Sequence, residues 1–256
     1  MTVADRDRAA PELPASDAPI AVPIVDSPPE GQEVAWRHRH LLDVDVLSWA
    51  DIDLVMRTAD AMREVLARPI AKVPALRGRN VTILFYEPST RTRVSFEVAA
   101  KNLSADVVNI AAGTSSVTKG ESLVDTVRTV EALGAELLVI RHSVSGAPYL
   151  AAGTFSGSVL NGGDGWHAHP TQALLDLYTL RAAIGTGDAG SFSLAGRKVV
   201  VLGDVLHSRV ARSNLWALAA AGADVWVCGP ATLLRGFEAW ARHGVSGRAF
   251  HVTSSV

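Results

Sequence analysis

The sequence predicts an α/β protein made of two doubly wound parallel-sheet domains, the second of them incomplete. Three observations carry this. Short β-branched runs alternate with stretches of helical periodicity from Val81 to Val252. Several of those runs are apolar throughout, as strands covered on both faces must be. A Gly/Ser-rich break, Gly185 to Ser193, separates two such series. The predicted divisions are a disordered tail over 1–35, a first domain over 36–184 and a second over 185–256.

The tail is rich in Pro, Ala, Asp and Ser, too polar and too broken to bury a core. Beyond it, Ser48-Trp49-Ala50-Asp51 is a helix-start signature with an acid at the third helical position. The helix runs from there to about Arg68, where Pro69 ends it, and Ile52, Val55, Met56, Ala59, Met62, Val65 and Leu66 form its core stripe. Val81 to Tyr86 is the first buried strand and Val94 to Lys101 the body of the helix after it. Ala105 to Ile110 is the second strand, Glu121 to Leu133 the next helix, and Glu136 to His142 the third strand. Val159 to Asn161 is a short fourth, and a helix opens at His169-Pro170 and runs to about Ile184. In the second series Arg197 to Asp204 is a strand expected to be buried on both faces, followed by a helix over Ser208 to Ala221. Asp224 to Cys228 is the next strand, with Cys228 buried, then comes a helix to about Ala241 and a last strand from Phe250.

Composition narrows the function. With 24 basic and 26 acidic residues the charge is near balance, so no nucleic-acid or membrane surface is expected and any cationic site must be local. The single Cys228 excludes an internal disulfide and fits a reducing, cytoplasmic compartment. No apolar run reaches membrane-spanning length, and no secretory signal is visible.

Four stretches carry chemistry. In Glu87-Pro88-Ser89-Thr90-Arg91-Thr92-Arg93, Pro88 stops a strand and Ser89 or Thr90 is placed to cap a helix. Helix starts carry unpaired N–H groups and partial positive charge, so they bind anions. Here Ser89, Thr90 and Thr92 add hydroxyl donors and Arg91 adds a fork that matches phosphate oxygens. A capped helix with solvated arginines is the plainer alternative. The loop Gly113 to Gly120 lacks the glycine directly before lysine that a nucleotide-binding loop needs, but its end glycines suit a lid carrying Ser115 and Lys119. Arg141-His142 ends a strand, where open parallel sheets place their ligand crevice. Asn161 to Gln172 sets four polar side chains and three glycines ahead of a helix start, with His169 and Gln172 at its end. Finally, Gly203 to Ser213 lies at a strand-to-helix turn with one glycine, too few for a dinucleotide fingerprint. No Cys/His cluster offers a metal site and no cofactor is called for.

The Ser-Thr-Arg-Thr, Arg-His, His-Pro-Thr-Gln and Gly-Asp…His-Ser-Arg-Val-Ala-Arg-Ser runs, in this order, resemble the transcarbamoylase family, and from residue 36 to 256 the likeness is to its aspartate carbamoyltransferase branch. The resemblance implies a transcarbamoylase-like fold and transfer of the carbamoyl group of carbamoyl phosphate to L-aspartate. It implies that Ser89, Thr90, Arg91, Ser115 and Lys119 serve the phosphate. Thr92, Arg141 and His169 would serve the carbonyl oxygen, with Gln172 and the Pro170 carbonyl reading the carbamoyl NH₂. Arg209, with Lys119, would bind aspartate, and Arg212 would be structural. It also implies a homotrimer in which Ser115 and Lys119 complete a neighbour's site, and admits a regulatory or dihydroorotase partner chain. The alternatives are ornithine carbamoyltransferase, which the Lys119 loop opposes, and a non-catalytic paralogue acting as an assembly partner. Family members continue beyond a strand like Phe250–Val252 with a second aspartate arginine, a mobile loop and a covering helix. On that resemblance the chain is expected to be truncated and, alone, weakly active at best.

Overall fold

The computed structural model describes residues 35–111, 121–184, 192–245 and 250–255. The predicted tail, the lid with Ser115 and Lys119, and most of the Gly/Ser-rich break lie outside the described residues. The first sheet comprises β1 (Asn80–Phe85), β2 (Asp106–Ala111), β3 (Leu137–His142) and β4 (Ser158–Asp164), all parallel, in the order β2-β1-β3-β4. The connecting helices are α2 (Thr90–Asn102), α3 (Leu123–Ala132) and the short α4 (Ala147–Ala152); α5 (Pro170–Ile184) follows β4. The alternating faces of β1 explain why all but Asn80 and Thr82 in it are apolar. Val81, Ile83 and Phe85 pack with Ala100 of α2, whereas Leu84 packs with Val127 and Val130 of α3. Ile83 and Leu84 are fully buried, each worth about 1.5–3 kcal/mol against exposure.

This strand order positions the site. From β1 the chain steps outward to β2, then returns across β1 to β3 and β4. The order therefore reverses between β1 and β3, and a crevice opens at the carboxyl ends of those two strands. Glu87 and Ser89 follow the one, and Arg141 closes the other.

The second sheet is β5 (Lys198–Leu202), β6 (Asp224–Cys228) and β7 (His251–Thr253), parallel and in chain order, with α6 (Arg209–Ala220) and α7 (Phe237–His243) between them. One apolar cluster joins this sheet to the helices ahead of it. Ile52 and Met56 of α1 (Trp49–Leu66), Leu177 of α5 and Leu215 of α6 are buried with Val225, Val227 and Phe237. Cys228 is buried, as predicted. The guanidinium of Arg212 lies over the rings of Phe237 and Trp240, which supports its reading as a structural residue.

Four expectations need correction. First, β5 is not buried on both faces: Val199 and Val201 face the core, but Val200 and Leu202 are 49% and 68% exposed. The open face of β5 also carries Lys198, whose ammonium lies over the Trp226 ring of β6, itself stacked on His251 of β7. Second, Leu66 is exposed. It stands about 100° around the helix from Val65, which takes the buried place. Third, β4 is longer than predicted and runs through its glycines to Asp164, because the backbone of β3 beside it supplies the pairing those residues lack from side chains. Fourth, α4 was not foreseen; six residues with Pro148 in the first turn carry little periodicity.

Candidate active site

The turn after β1 is built to leave donors free. Ser89 holds the N-cap position of α2 with extended backbone, φ −160°, yet its side chain makes no capping hydrogen bond. This corrects the expectation of a hydroxyl cap. Among the described residues the Ser89 hydroxyl has no hydrogen-bond partner, and it stands with the first N–H groups of α2 at the positive end of a 13-residue helix. Arg91 is exposed beside them, and Thr92 is half-buried.

Arg141 enters from β3. The β3–β4 register shifts between Ile140 and His142, a bulge of the kind that re-aims side chains next to a site. The residue is 9% exposed, and its guanidinium donates from Nη1 to the Gly162 carbonyl at 3.3 Å and pairs through Nη2 with Glu87. Burial, then the Arg209 charge, lowers its pKa. Its Nε has no partner among the described residues. His142 takes no part in this group; its Nδ1 accepts from the Val144 N–H at 2.9 Å.

Arg209 opens α6, behind Ser208, whose hydroxyl accepts from the Ala211 N–H. Its Nη1 and Nη2 donate to the two oxygens of Glu87 at 3.0 and 2.7 Å, and Nη1 also donates to the Gly165 carbonyl at 3.0 Å. Of its five N–H bonds, the Nε–H and one on Nη2 have no partner among the described residues. These form the side-on fork, so Glu87 orients Arg209 without occupying the edge that a carboxylate would take. Gly163 makes the approach possible: a Cβ there would stand 2.9 Å from Arg209 Nε and 3.2 Å from Arg141 Nη1, and its φ of +113° also favours glycine. The hydrogen bonds from Arg209 hold the Glu87 carboxyl below its ordinary range, assisted by those from Arg141 and opposed by burial.

His169 completes the group. It is 6% exposed, and burial, followed by the Arg141 and Arg209 charges, pushes its imidazole down to about 4. At neutral pH it is therefore uncharged and can donate one N–H. Its backbone N–H donates to Ser213 Oγ at 3.0 Å, and that hydroxyl donates to Asp43 Oδ1 at 3.0 Å. The loop before it is held by Asp164, which is fully buried. Asp164 accepts from the Gly146 N–H, the Ala168 N–H and Asn161 Nδ2 at 2.7, 3.1 and 2.8 Å, and pairs with His167. Gln172 donates to Asp176 at 2.8 Å, so its amide is engaged within the helix.

Of the residues singled out in the sequence, the structure thus gathers Arg141, Arg209 and His169 around Glu87, with the Ser89–Thr92 turn directly after it. Gln172 faces Asp176 instead, and Ser115 and Lys119 lie outside the described residues. An open cavity of about 500 Å³ adjoins the group, bounded by Glu87, Arg209, Ser143 and Trp166. Sequence reasoning gave no role to Glu87, Gly163, Asp164 or Ser213. An acid beside cation-rich turns was the available signal for the first, and the run of glycines for the second. Among the described residues no group of three or more His, Cys, Asp or Glu could hold a metal ion, and no helix is long and apolar enough to cross a membrane.

Comparison with known proteins gives the family. The sequence profile "Aspartate/ornithine carbamoyltransferase, carbamoyl-P binding domain" matches residues 39–182. The chain is 54% identical over 199 residues to an aspartate carbamoyltransferase catalytic subunit of Dehalococcoides mccartyi, covering 78% of this chain and 58% of that one. It is 57% identical over 204 residues to the subunit of the same name from Roseiflexus sp., covering 80% and 62%. The chain therefore spans about three fifths of the length of these curated relatives. Aspartate transcarbamoylase of Trypanosoma cruzi, solved with carbamoyl phosphate and aspartate, superposes with a TM-score of 0.69 at 30% identity, over 85% of this chain and 67% of that one. The catalytic subunit of the M. Jannaschii enzyme gives 0.68 at 33% identity, over 86% and 69%. By the profile, the fold and the motifs that converge on the crevice, the chain belongs to the aspartate/ornithine carbamoyltransferase family.

Proposed function

We propose that the crevice transfers the carbamoyl group of carbamoyl phosphate to the amine of L-aspartate, giving N-carbamoyl-L-aspartate and phosphate. The observation that carries this reading is a neutral, buried His169 set beside Arg141 and Arg209, next to a helix start with unspent donors. Charge grows on two places in such a reaction, the carbonyl oxygen and the departing phosphate, and fixed donors aimed at both lower the barrier. His169, Thr92 and Arg141 serve the carbonyl oxygen. Ser89, Thr90, Arg91 and the α2 N–H groups serve the phosphate, with Ser115 and Lys119 joining from a neighbouring copy. Gln172 reaches the carbamoyl NH₂ after leaving Asp176. The deprotonated amine is nucleophilic enough to attack directly, so no covalent intermediate on the protein is required. Holding both small substrates together supplies the remainder.

The acceptor follows from Arg209. Its free side-on fork suits a carboxylate, whereas the side-chain ammonium of ornithine would meet a cation there. The names of the matched relatives favour the same acceptor. A trimer that shares its sites is supported by the exposed apolar side chains that follow Arg91 on α2: Val94 and Val98 are 43% and 49% exposed. The buried thiol of Cys228 favours a reducing cytoplasm as the compartment. The test is to supply carbamoyl phosphate with either aspartate or ornithine and measure the carbamoylated product. Carbamoyl-aspartate is expected, and citrulline as the main product would overturn the reading.

A further inference from the structure

Behind the crevice, the loop that carries His169 is closed by a cluster of charged side chains to which the reaction gives no step. His167 stands between two buried carboxylates. Its Nδ1 lies 3.1 and 3.3 Å from the two oxygens of Asp164, and its Nε2 lies 3.9 Å from Asp43 Oδ2. The two acids come from different parts of the chain. Asp164 ends β4, whereas Asp43 belongs to the segment ahead of α1. That segment is laced to β4, since Asn161 donates from its backbone N–H to the Leu41 carbonyl and from Nδ2 to the Leu42 carbonyl. Asp43 leads on to the site: its Oδ1 accepts from Ser213 Oγ, which accepts from the His169 N–H. Asp45 adds a third acid, and its buried Oδ1 has no partner among the described residues. No Lys or Arg among the described residues pairs with any of the three acids; the cation available to them is His167. Two further titratable groups face the cluster and are neutral near pH 7. The Tyr149 ring of α4 lies edge to face with His167 at 5.8 Å and burial raises its phenol, while burial lowers His142. Only a doubly protonated imidazole can offer an N–H to each of two carboxylates. The hydrogen bond to Asp164 raises the His167 value, opposed by burial and assisted by the charges of Asp164, Asp43 and Asp45. Burial favours a proton on Asp43 and on Asp45, and the His167 charge opposes this at both.

We propose that His167 is a positioning residue for His169: as an imidazolium it bridges Asp164 and Asp43 and so fixes the loop that presents His169 to the crevice. Without its second proton, Nε2 has only a lone pair to turn toward Asp43, and three acids stand together with no cation. Asp43 then moves away from Asp164 and the Ser213 hydroxyl moves with it, which loosens the bond to the His169 N–H. The bridge is present below the His167 value and is lost as pH rises through it. His169 itself, held near 4, does not titrate in that window. The consequence for ligand binding rests on the reading of His169 as the donor to the carbamoyl carbonyl.

The first test needs no ligand. Histidine ring signals are followed by NMR between about pH 5.5 and about pH 9 in the wild-type chain, His167→Gln and Asp43→Asn, a range that brackets the ordinary histidine value. His167 is expected to titrate above 6.5, and Asp43→Asn to lower its midpoint. The His169 signals should move with the His167 midpoint in the wild type and lose that movement in His167→Gln. The second test uses phosphonoacetamide, which keeps the carbonyl, the NH₂ and the anion of carbamoyl phosphate without its labile ester, and methylphosphonate, which keeps the anion alone. Ligand ionisation is common to all chains, so the quotient of wild-type to His167→Gln affinity isolates the protein. For phosphonoacetamide that quotient should be about five or more below the His167 midpoint, the low end of coupling between sites, and fall to one above it. For methylphosphonate it should stay at one throughout. A His167 midpoint at or below 6.5, a midpoint unmoved by Asp43→Asn, or static His169 signals would each overturn the proposal. So would a phosphonoacetamide quotient that does not change with pH, or an equal change for methylphosphonate. No binding of either phosphonate to the wild type counts against the transferase reading, whereas the NMR titrations still decide whether His167 positions His169.

Discussion

Glu87 accepts a hydrogen bond from each terminal nitrogen of Arg209, at 3.0 and 2.7 Å, across 122 residues of chain. The same carboxylate pairs with the buried Arg141. One acid therefore bridges two guanidinium groups that would otherwise repel each other across the crevice, and it ties the carboxyl end of β1 to the first turn of α6. Replacing it by Gln keeps the shape and removes the charge. Glu87→Gln is expected to lower stability by about 2–4 kcal/mol, since it leaves two largely buried cations without a counter-ion. The contribution is full above the ordinary Glu value of 4.5 and is lost as pH falls through the lower folded value. Urea unfolding at pH 7 and pH 3 checks both parts: the gap between wild type and variant should be present at the first pH and shrink at the second.

His169 and Asp43 act in opposite directions on acid stability. Burial drives the His169 imidazole from 6.5 down to about 4, so the unfolded chain binds more protons in that window and stability falls as pH drops through it. The shift corresponds to roughly 3 kcal/mol. Burial raises the Asp43 carboxyl, so below its folded value the native state gains protons and part of that loss is offset. Asp43→Asn should therefore make unfolding free energy fall more steeply with acid than in the wild type, whereas His169→Asn should flatten the curve. Parallel curves for all three chains between pH 4 and pH 6.5 would contradict this.

Gly163→Ala is expected to cost about 1–3 kcal/mol from its backbone conformation alone. Its methyl group would also push Arg209 and Arg141 off their present positions. Succinate affinity should fall in step with stability. A variant with unchanged unfolding and unchanged succinate binding would show that the two arginines do not depend on the space at this glycine.

The elements were largely legible because β1 and β3 are β-branched, mostly apolar runs and α1 announces its start with Ser48 and Asp51, which do form the reciprocal cap. The open face of β5 was not legible, because whether Val200 and Leu202 are covered depends on what packs over that side of the sheet, which no single strand encodes. The site was legible where one residue type has one strong use, as with Arg141 and Arg209. It was not legible where the function is relational. Glu87 matters because two cations from distant strands and helices converge on it, and Gly163 because they pass close by. Gln172 shows the converse: its motif is intact, yet in the free chain its amide is taken by Asp176.

Assembly gives a separate prediction. If Lys119 completes a neighbour's site, then Lys119→Ala and Arg91→Ala chains, each inactive alone, regain part of the carbamoyl-aspartate activity when mixed, because hybrid assemblies contain some sites with both residues. Subunit exchange followed by native mass spectrometry, with no recovery of activity, would place each site within a single chain.

The most direct test of the central claim is a calorimetric titration of carbamoyl phosphate and of inorganic phosphate into the wild-type chain, Arg91→Ala and His169→Ala. Saturable binding of both ligands to the wild type is predicted. Arg91→Ala should weaken both together by about 1–3 kcal/mol, the range for charge-assisted hydrogen bonds. His169→Ala should weaken carbamoyl phosphate while leaving inorganic phosphate unchanged, because its donor faces the carbonyl oxygen. No saturable binding to the wild type, or an equal loss of inorganic phosphate in the two variants, would contradict the account.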